Sequence, residues 1–432
     1  MKENTQTKLS FANLGIKSDL LTHLEKLSLT SPTPIQHQAI PIAIKGEDLV
    51  GIAQTGTGKT LAFVVPMIQK ITSGQSMGLI IVPTRELAYQ VDETLNQFSR
   101  TYKFQTAVLI GGTSIQPQIR QLKNRPRIII ATPGRLIDHL QRRTVNLSFV
   151  DTLVLDEADR MLDMGFEPDI RTILFSMTVK NRQTMLFSAT MPDRIAKIAN
   201  TYMRKPLRIE VSPSGSPAID IEQEIFIVQQ TKKLMLLEKL LAEYQGTVLI
   251  FTRTKFAAKK LAEKIRIFGH SAEEIHSNRS LIQRTRALQG FKNGQYRILV
   301  ATDIASRGID VNNIEIVINY DLPEQAEDYV HRIGRTGRAG LKGKAVSFVL
   351  PDQKHNLWTI ERLIKATLAI KSIPNITEEY SASIQKAYSS GGRSKKFGSL
   401  NRSRGRSGGG FAKRPSASRS GYKSYGFARR SR

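Results

Sequence analysis

The plainest chemistry in the chain lies in Ala53-Gln54-Thr55-Gly56-Thr57-Gly58-Lys59-Thr60. A short apolar run, Asp48-Leu49-Val50-Gly51-Ile52, precedes it, and a helix-like run, Leu61-Ala62-Phe63-Val64-Val65, follows. A strand, a glycine-bearing loop and a helix N-terminus together form a cradle for phosphate. Backbone N–H groups converge on the anion, and the helix dipole adds positive potential. Thr55, Gly56, Thr57 and Gly58 supply the loop, Lys59 would reach the β- and γ-phosphates, and the Thr60 hydroxyl would ligate Mg²⁺. The strict pattern begins with Gly where this chain has Ala53, so the flexible positions are Gly56 and Gly58. The competing reading is an ordinary Gly/Thr turn, against which the Gly-Lys-Thr between strand and helix weighs.

A second apolar run, Val154-Leu155, ends in Asp156 and Glu157. Hydrolysis of a nucleoside triphosphate beside such a loop needs one acid on the metal and one to orient or deprotonate water. Asp156 fits the metal-linked role, through a water, and Glu157 that of the base. Acids also favour the first turn of a helix, which is the alternative reading. Positive charge must also meet the departing phosphoryl group. Lys59 and the metal supply part of it. Arg335 and Arg338, three apart beside Gly334 and Gly337, could supply the rest unless they are simply a basic solvated loop.

These residues must be held by strands. Up to about Arg208, short apolar runs alternate with longer helix-like segments: Leu49–Ala53, Leu79–Val82, Ala107–Ile110, Arg127–Ala131, Thr152–Leu155 and Thr184–Phe187. The alternation restarts after Ser212-Pro213-Ser214-Gly215-Ser216-Pro217, with runs near Glu224, Val248, Ala272, Ile298, Glu315 and Ala345. Continuous apolar strands separated by helical patterns predict an α/β fold, each domain a parallel sheet covered on both faces. The expected division is a first domain over 1–210, a linker over 211–219, a second domain over 220–370 and a tail over 371–432. Ligands bind at the carboxyl ends of such strands, where the chemistry-bearing residues sit.

The formal net charge of +27 implies a polyanionic partner. From Ser381 to Arg432 the chain carries fourteen basic residues and no acid. That Ser/Gly/Arg-rich stretch has almost no aliphatic residues and is expected to be disordered. Its Tyr and Phe residues, such as Phe397, Phe411 and Tyr425, suit stacking on exposed bases. The alternative is a merely solubilising tail. There is no cysteine, so disulfides and thiolate metal sites are excluded. The apolar runs are too short to span a bilayer and the N-terminus is polar, so a cytoplasmic protein without membrane contact is expected.

Asp156-Glu157-Ala158-Asp159 is also a family signature, and the chain resembles the DEAD-box RNA-dependent ATPases of helicase superfamily 2 from about Phe11 to about Ala366. The motifs stand in family order: Pro32-Thr33-Pro34-Ile35-Gln36, the phosphate loop, Pro83-Thr84-Arg85-Glu86-Leu87, Gly111-Gly112, Thr132-Pro133-Gly134-Arg135 and Ser188-Ala189-Thr190. Phe251-Thr252, the run Ala301 to Asp310, and His331-Arg332-Ile333-Gly334-Arg335-Thr336-Gly337-Arg338 follow. The resemblance implies two tandem RecA-like domains that bind ATP, Mg²⁺ and RNA. It makes Gln36 the reader of adenine, helped by Phe11, and places Asp310 on the ribose. Arg335 and Arg338 become arginine fingers. Ser188, Thr190 and His331 couple ATP state to RNA state. Thr84, Arg85, Gly112, Thr132, Gly134 and Arg135 form the RNA surface of the first domain, and Thr252, Arg284 and Thr302 that of the second. Local strand separation by a core that works as a monomer is implied, with the ribosome and RNA-degradation machinery as candidate partners. The basic tail resembles those of the bacterial RhlE-like branch.

The chain departs from the family at three places. Ser28-Leu29 stands where Gly-aromatic is usual, which removes a π face from the adenine site. Leu281-Ile282-Gln283-Arg284 keeps the Arg of Gln-x-x-Arg and loses the Gln, and His276-Ser277 replaces His-Gly. Trp358 and the methionines are expected in cores. The alternatives are an RNA chaperone or clamp that works mainly through its tail, and a helicase acting on DNA.

Overall fold

Each apolar run becomes a strand because both of its faces can be buried. In the computed structural model, which describes residues 9–54, 56–74, 76–211, 221–303, 314–337 and 342–373, neighbouring residues of one strand enter opposite cores. Leu49 and Ile80 belong to one cluster, and Val50, Ile52, Leu79 and Ile81 to the other. That two-sided burial explains runs that are apolar throughout rather than alternating.

The first sheet contains β1 (Leu49–Ile52), β2 (Gly78–Ile81), β3 (Thr106–Leu109), β4 (Ile128–Ala131), β5 (Thr152–Leu155), β6 (Gln183–Ser188) and β7 (Leu207–Glu210). Their order is β3-β4-β2-β5-β6-β1-β7, and every pairing is parallel. Residues that follow the strands therefore share one edge. Those after β3, β4 and β2 occupy one half of it, and those after β5, β6 and β1 the other.

The second sheet contains β8 (Ile221–Ile227), β9 (Val248–Phe251), β10 (Ala272–Ile275), β11 (Ile298–Ala301), β12 (Ile316–Asn319), β13 (Gly343–Val349) and β14 (Ala369–Lys371). Its order, β10-β11-β9-β12-β13-β8-β14, repeats that of the first sheet strand for strand, with β8 standing where β1 stands. Val248 and Ile250 face one cluster while Leu249 and Phe251 face another.

Two expectations need correction. Lys371 pairs with Phe226 as the last residue of β14, so the sheet takes one residue that the sequence assigned to the tail. Trp358 is 65% exposed, because the helix Lys354–Ile364 buries Leu357, Ile360 and Ile364 and turns the indole outward. Met161, in contrast, is fully buried. Among the described residues no helix is long and apolar enough to cross a membrane.

Candidate active site

The phosphate loop joins β1 to the helix Lys59–Thr72. Gly56 and Gly58 take φ of +83° and +90°, values that L side chains rarely adopt. A Cβ on Gly58 would also collide with the Gln36 amide nitrogen. Gln36 lies in the first turn of the helix Pro34–Ile44, where its Oε1 accepts from the Thr33 N–H at 2.9 Å. Its Nε2 donates to the Gly58 carbonyl at 3.0 Å. The residue expected to read adenine is thus also a strut for the phosphate loop. The Thr57 hydroxyl donates to the Gln54 carbonyl, and the buried Lys59 ammonium donates to the Ala53 carbonyl at 2.7 Å. Thr60 follows in the first turn. Phe11 lies in the short 3₁₀ turn Phe11–Asn13. It is 4% exposed within the first-domain core.

Asp156 and Glu157 follow β5 and are both buried. Burial pushes the Asp156 carboxyl up to about 7, Lys59 opposes this, and Glu157 adds to it. Glu157 is held below the usual carboxylate range. Burial alone would raise it, but the Arg160 and Arg335 guanidinium groups and Lys59 outweigh burial. Arg160 Nη1 lies 2.8 Å from Glu157 Oε2. The two neighbouring acids are thus set apart by environment, one short of positive charge and one surrounded by it.

Asp159 ties the site together. Its Oδ2 accepts from the Ala189 and Thr190 N–H groups at 3.0 and 2.8 Å and from the Thr190 hydroxyl at 2.9 Å. Its own N–H donates to the Ser188 hydroxyl at 3.2 Å. The Ser188 carbonyl accepts from the Ala53 N–H at 3.0 Å, which links this network to the phosphate loop. From the second domain, His331 Nε2 comes within 3.9 Å of Asp159 Oδ2. Burial, Arg160 and Arg335 press the His331 imidazole down to about 4 against the pull of Asp159 and Glu157. Arg335, 3% exposed, donates Nε–H to the His331 carbonyl at 3.2 Å.

The other half of the first edge carries the expected RNA residues. Thr84 caps the helix Arg85–Tyr102, accepting from the Leu87 N–H at 3.3 Å and keeping its own O–H to donate. Gly112, at φ +75°, leaves room for the Arg85 guanidinium, into which a Cβ would run. Thr132 precedes the helix Pro133–Gln141, and nothing lies near a Cβ on Gly134, so this helix N-terminus is open. Arg135 donates to the Thr113 carbonyl at 3.1 Å. In the second domain Thr252 and Thr302 follow β9 and β11, with Thr252 fully buried. Arg284 turns elsewhere: its Nη2 is 2.9 Å from Glu86 Oε2 of the first domain.

A DEAD/DEAH box helicase model matches residues 33–198, and a helicase conserved C-terminal domain model matches 232–340. The chain is 42% identical over 372 residues to the DEAD-box ATP-dependent RNA helicase CshA of Bacillus cereus, covering 85% of this chain and 71% of that one. The CshA helicase of Bacillus subtilis gives 42% over 373 residues, covering 86% and 75%. The chain belongs to the DEAD-box helicase family. Among solved structures, Dbp5 of S. cerevisiae bound to RNA and ADP BeF3 is similar at a TM-score of 0.77 and 28% identity, covering 88% of this chain and 99% of that one. Mss116p bound to single-stranded RNA and AMP-PNP is similar at 0.81 and 28%, covering 89% and 84%. The two sheets are thus the tandem RecA-like domains of DEAD-box helicases.

Thr55, Asp310 and Arg338 fall outside the described residues, as do most of the linker and the basic tail. Three residues that the sequence reading left without a role stand out in this DEAD-box helicase. Asp159 and Arg160 lie inside or next to the signature, and their partners show their use. Arg332 pairs with Asp303 through Nη2–Oδ2 at 2.7 Å, donates to Asn319 Oδ1 at 3.1 Å and lies over the Phe251 ring. It fixes the turn after β11 to the helix that carries His331.

Proposed function

We propose that the chain closes its two domains on ATP and single-stranded RNA, and that closure completes a hydrolytic site and separates short RNA duplexes. The observation that carries this reading is the approach of His331 and Arg335, from the second domain, to Asp159 and Glu157 of the first. Lys59 would neutralise the β- and γ-phosphates, and Glu157 would orient the attacking water as an anion. Arg335 would meet the charge that builds on the γ-phosphoryl oxygens, and Arg338 would join it. Gln36 would hold the phosphate loop and read adenine with the same amide.

The residues fit Mg²⁺. Among the described residues no cluster of three or more His, Cys, Asp or Glu could hold a metal alone. Asp156 is instead a buried carboxyl with raised proton affinity at the end of β5, and Thr60 lies in the first turn of the helix after the phosphate loop. Mg²⁺ takes such a sparse protein set together with phosphate oxygens and waters. When bound, it would offset phosphate charge.

Thr84, Arg85, Thr132, Gly134 and Arg135 would hold the sugar-phosphate backbone at helix N-termini, a mode that reads no sequence. The two helicase models and the 42% identity over 372 residues to an RNA helicase disfavour a clamp in which hydrolysis is incidental. The test is ATP turnover with RNA and DNA single strands of equal length. Stimulation by RNA alone is expected, and equal stimulation by DNA would overturn the RNA reading.

A further inference from the structure

The two domains also meet on the RNA half of the sheet edge. Glu86, in the first turn of the helix Arg85–Tyr102, has a side chain only 5% exposed. Among the described residues neither of its carboxylate oxygens has a hydrogen-bond partner. Its counter-charge is Arg284, 2.9 Å away on the helix Leu281–Lys292 of the other domain and 12% exposed. A carboxylate this deep is strongly disfavoured without its cation. Three residues before Arg284, Leu281 packs against the hydrophobic core of the first domain. Leu281 occupies the position where the family usually has Gln, so the apolar contact belongs to this chain. Glu86 and Glu93 line the first-domain side of the groove beside it, and Arg286 and Lys292 the second-domain side. Acids thus face bases across the seam.

We propose that Leu281 and Arg284 form a closure latch against Glu86 and the first-domain core, and that Arg284 is a positioning residue rather than an RNA ligand. Opening the cleft frees Glu86 and Arg284 to be hydrated separately, and closing pairs them where water is excluded. The latch tightens RNA binding by stabilising the closed form, so its effect is felt when nucleotide is bound. The inference rests on the closure reading above.

The experiment uses the full chain, whose lack of cysteine allows one introduced thiol in each domain to carry a dye. Closure is followed by energy transfer while single-stranded RNA is titrated, with and without a non-hydrolysable ATP analogue. In the native chain RNA and analogue together should raise the closed fraction. Glu86→Gln and Arg284→Gln should each raise the RNA concentration for half-closure about tenfold, with the double variant no worse than either single. The exchange Glu86→Arg with Arg284→Glu should restore most of the loss, which no RNA contact could do. Leu281→Gln, at a half-buried site, should weaken closure less and provides a variant that keeps its charges. RNA affinity without nucleotide should not change in any of them. Additive losses would overturn the latch. So would failure of the exchange, or a fall in nucleotide-free RNA affinity with a shallower salt dependence in Arg284→Gln alone. A native chain that does not close overturns the closure reading and the latch with it. Native closure with unaffected variants overturns the latch alone.

Discussion

Glu157 sits at φ +51° and ψ 50°, a left-handed conformation that a non-glycine residue adopts at a cost. The strain aims its carboxylate at Arg160 while its backbone starts the helix Ala158–Asp163. Held anionic well below neutral pH, it can act by accepting a hydrogen bond from water more than by holding a proton. Glu157→Gln keeps the shape and removes the charge. ATP and RNA binding should survive while single-turnover hydrolysis falls by roughly 10²- to 10⁴-fold. Near-native hydrolysis would remove Glu157 from the mechanism. Ser28 is also left-handed, at φ +60°, where the family usually has Gly. Ser28→Gly should stabilise the fold by about 0.5–1 kcal/mol, the relief of strain less the greater chain entropy of Gly. Thermal unfolding decides it, and a loss of stability would mean that the Ser side chain holds something. Lys59, Thr60 and Asp156 could be picked out because their types and spacing carry the chemistry locally, and Gln36 only through the family resemblance. Asp159 was not, because its partners lie at Ala189, Thr190 and His331, far along the chain.

At the scale of elements, the strands with continuous apolar runs were legible, and two of the edge strands, β7 and β14, were not. Three of the four residues of β7 are exposed, as are all three of β14, so neither stands out as apolar. Both gain order from the backbone ladder to β1 and β8 rather than from side-chain burial. The helix Ala326–Ile333 shows the opposite case, since its last turn buries His331 and Arg332 as functional groups. Its environment makes stability depend on pH. With the His331 imidazole pressed down to about 4, well below the ordinary histidine range, the unfolded chain binds the extra proton first as pH falls. The stability from neutral His331 is therefore full above about pH 6.5 and is lost towards pH 4. His331→Gln should show a flatter loss across that window in thermal unfolding. Parallel curves would mean that the imidazole is not buried in solution as it is here.

Over the whole molecule, the two domains split the work. The first holds Lys59, Asp156 and Glu157, and the second brings His331 and Arg335. On the proposed mechanism neither half would hold a complete hydrolytic site, so turnover would be conditional on closure and closure on what fills the cleft. Of the formal net charge of +27, fourteen basic residues lie between Ser381 and Arg432. The central claim is that Arg335 completes the site from the other domain, and the most direct measurement is the rate of RNA-stimulated ATP hydrolysis by Arg335→Ala at saturating ATP and RNA. A guanidinium group on the transferring phosphoryl is worth roughly 10³- to 10⁵-fold. The account predicts a loss of that size, with ATP still bound by the first domain. Turnover within a few fold of the native chain would contradict it.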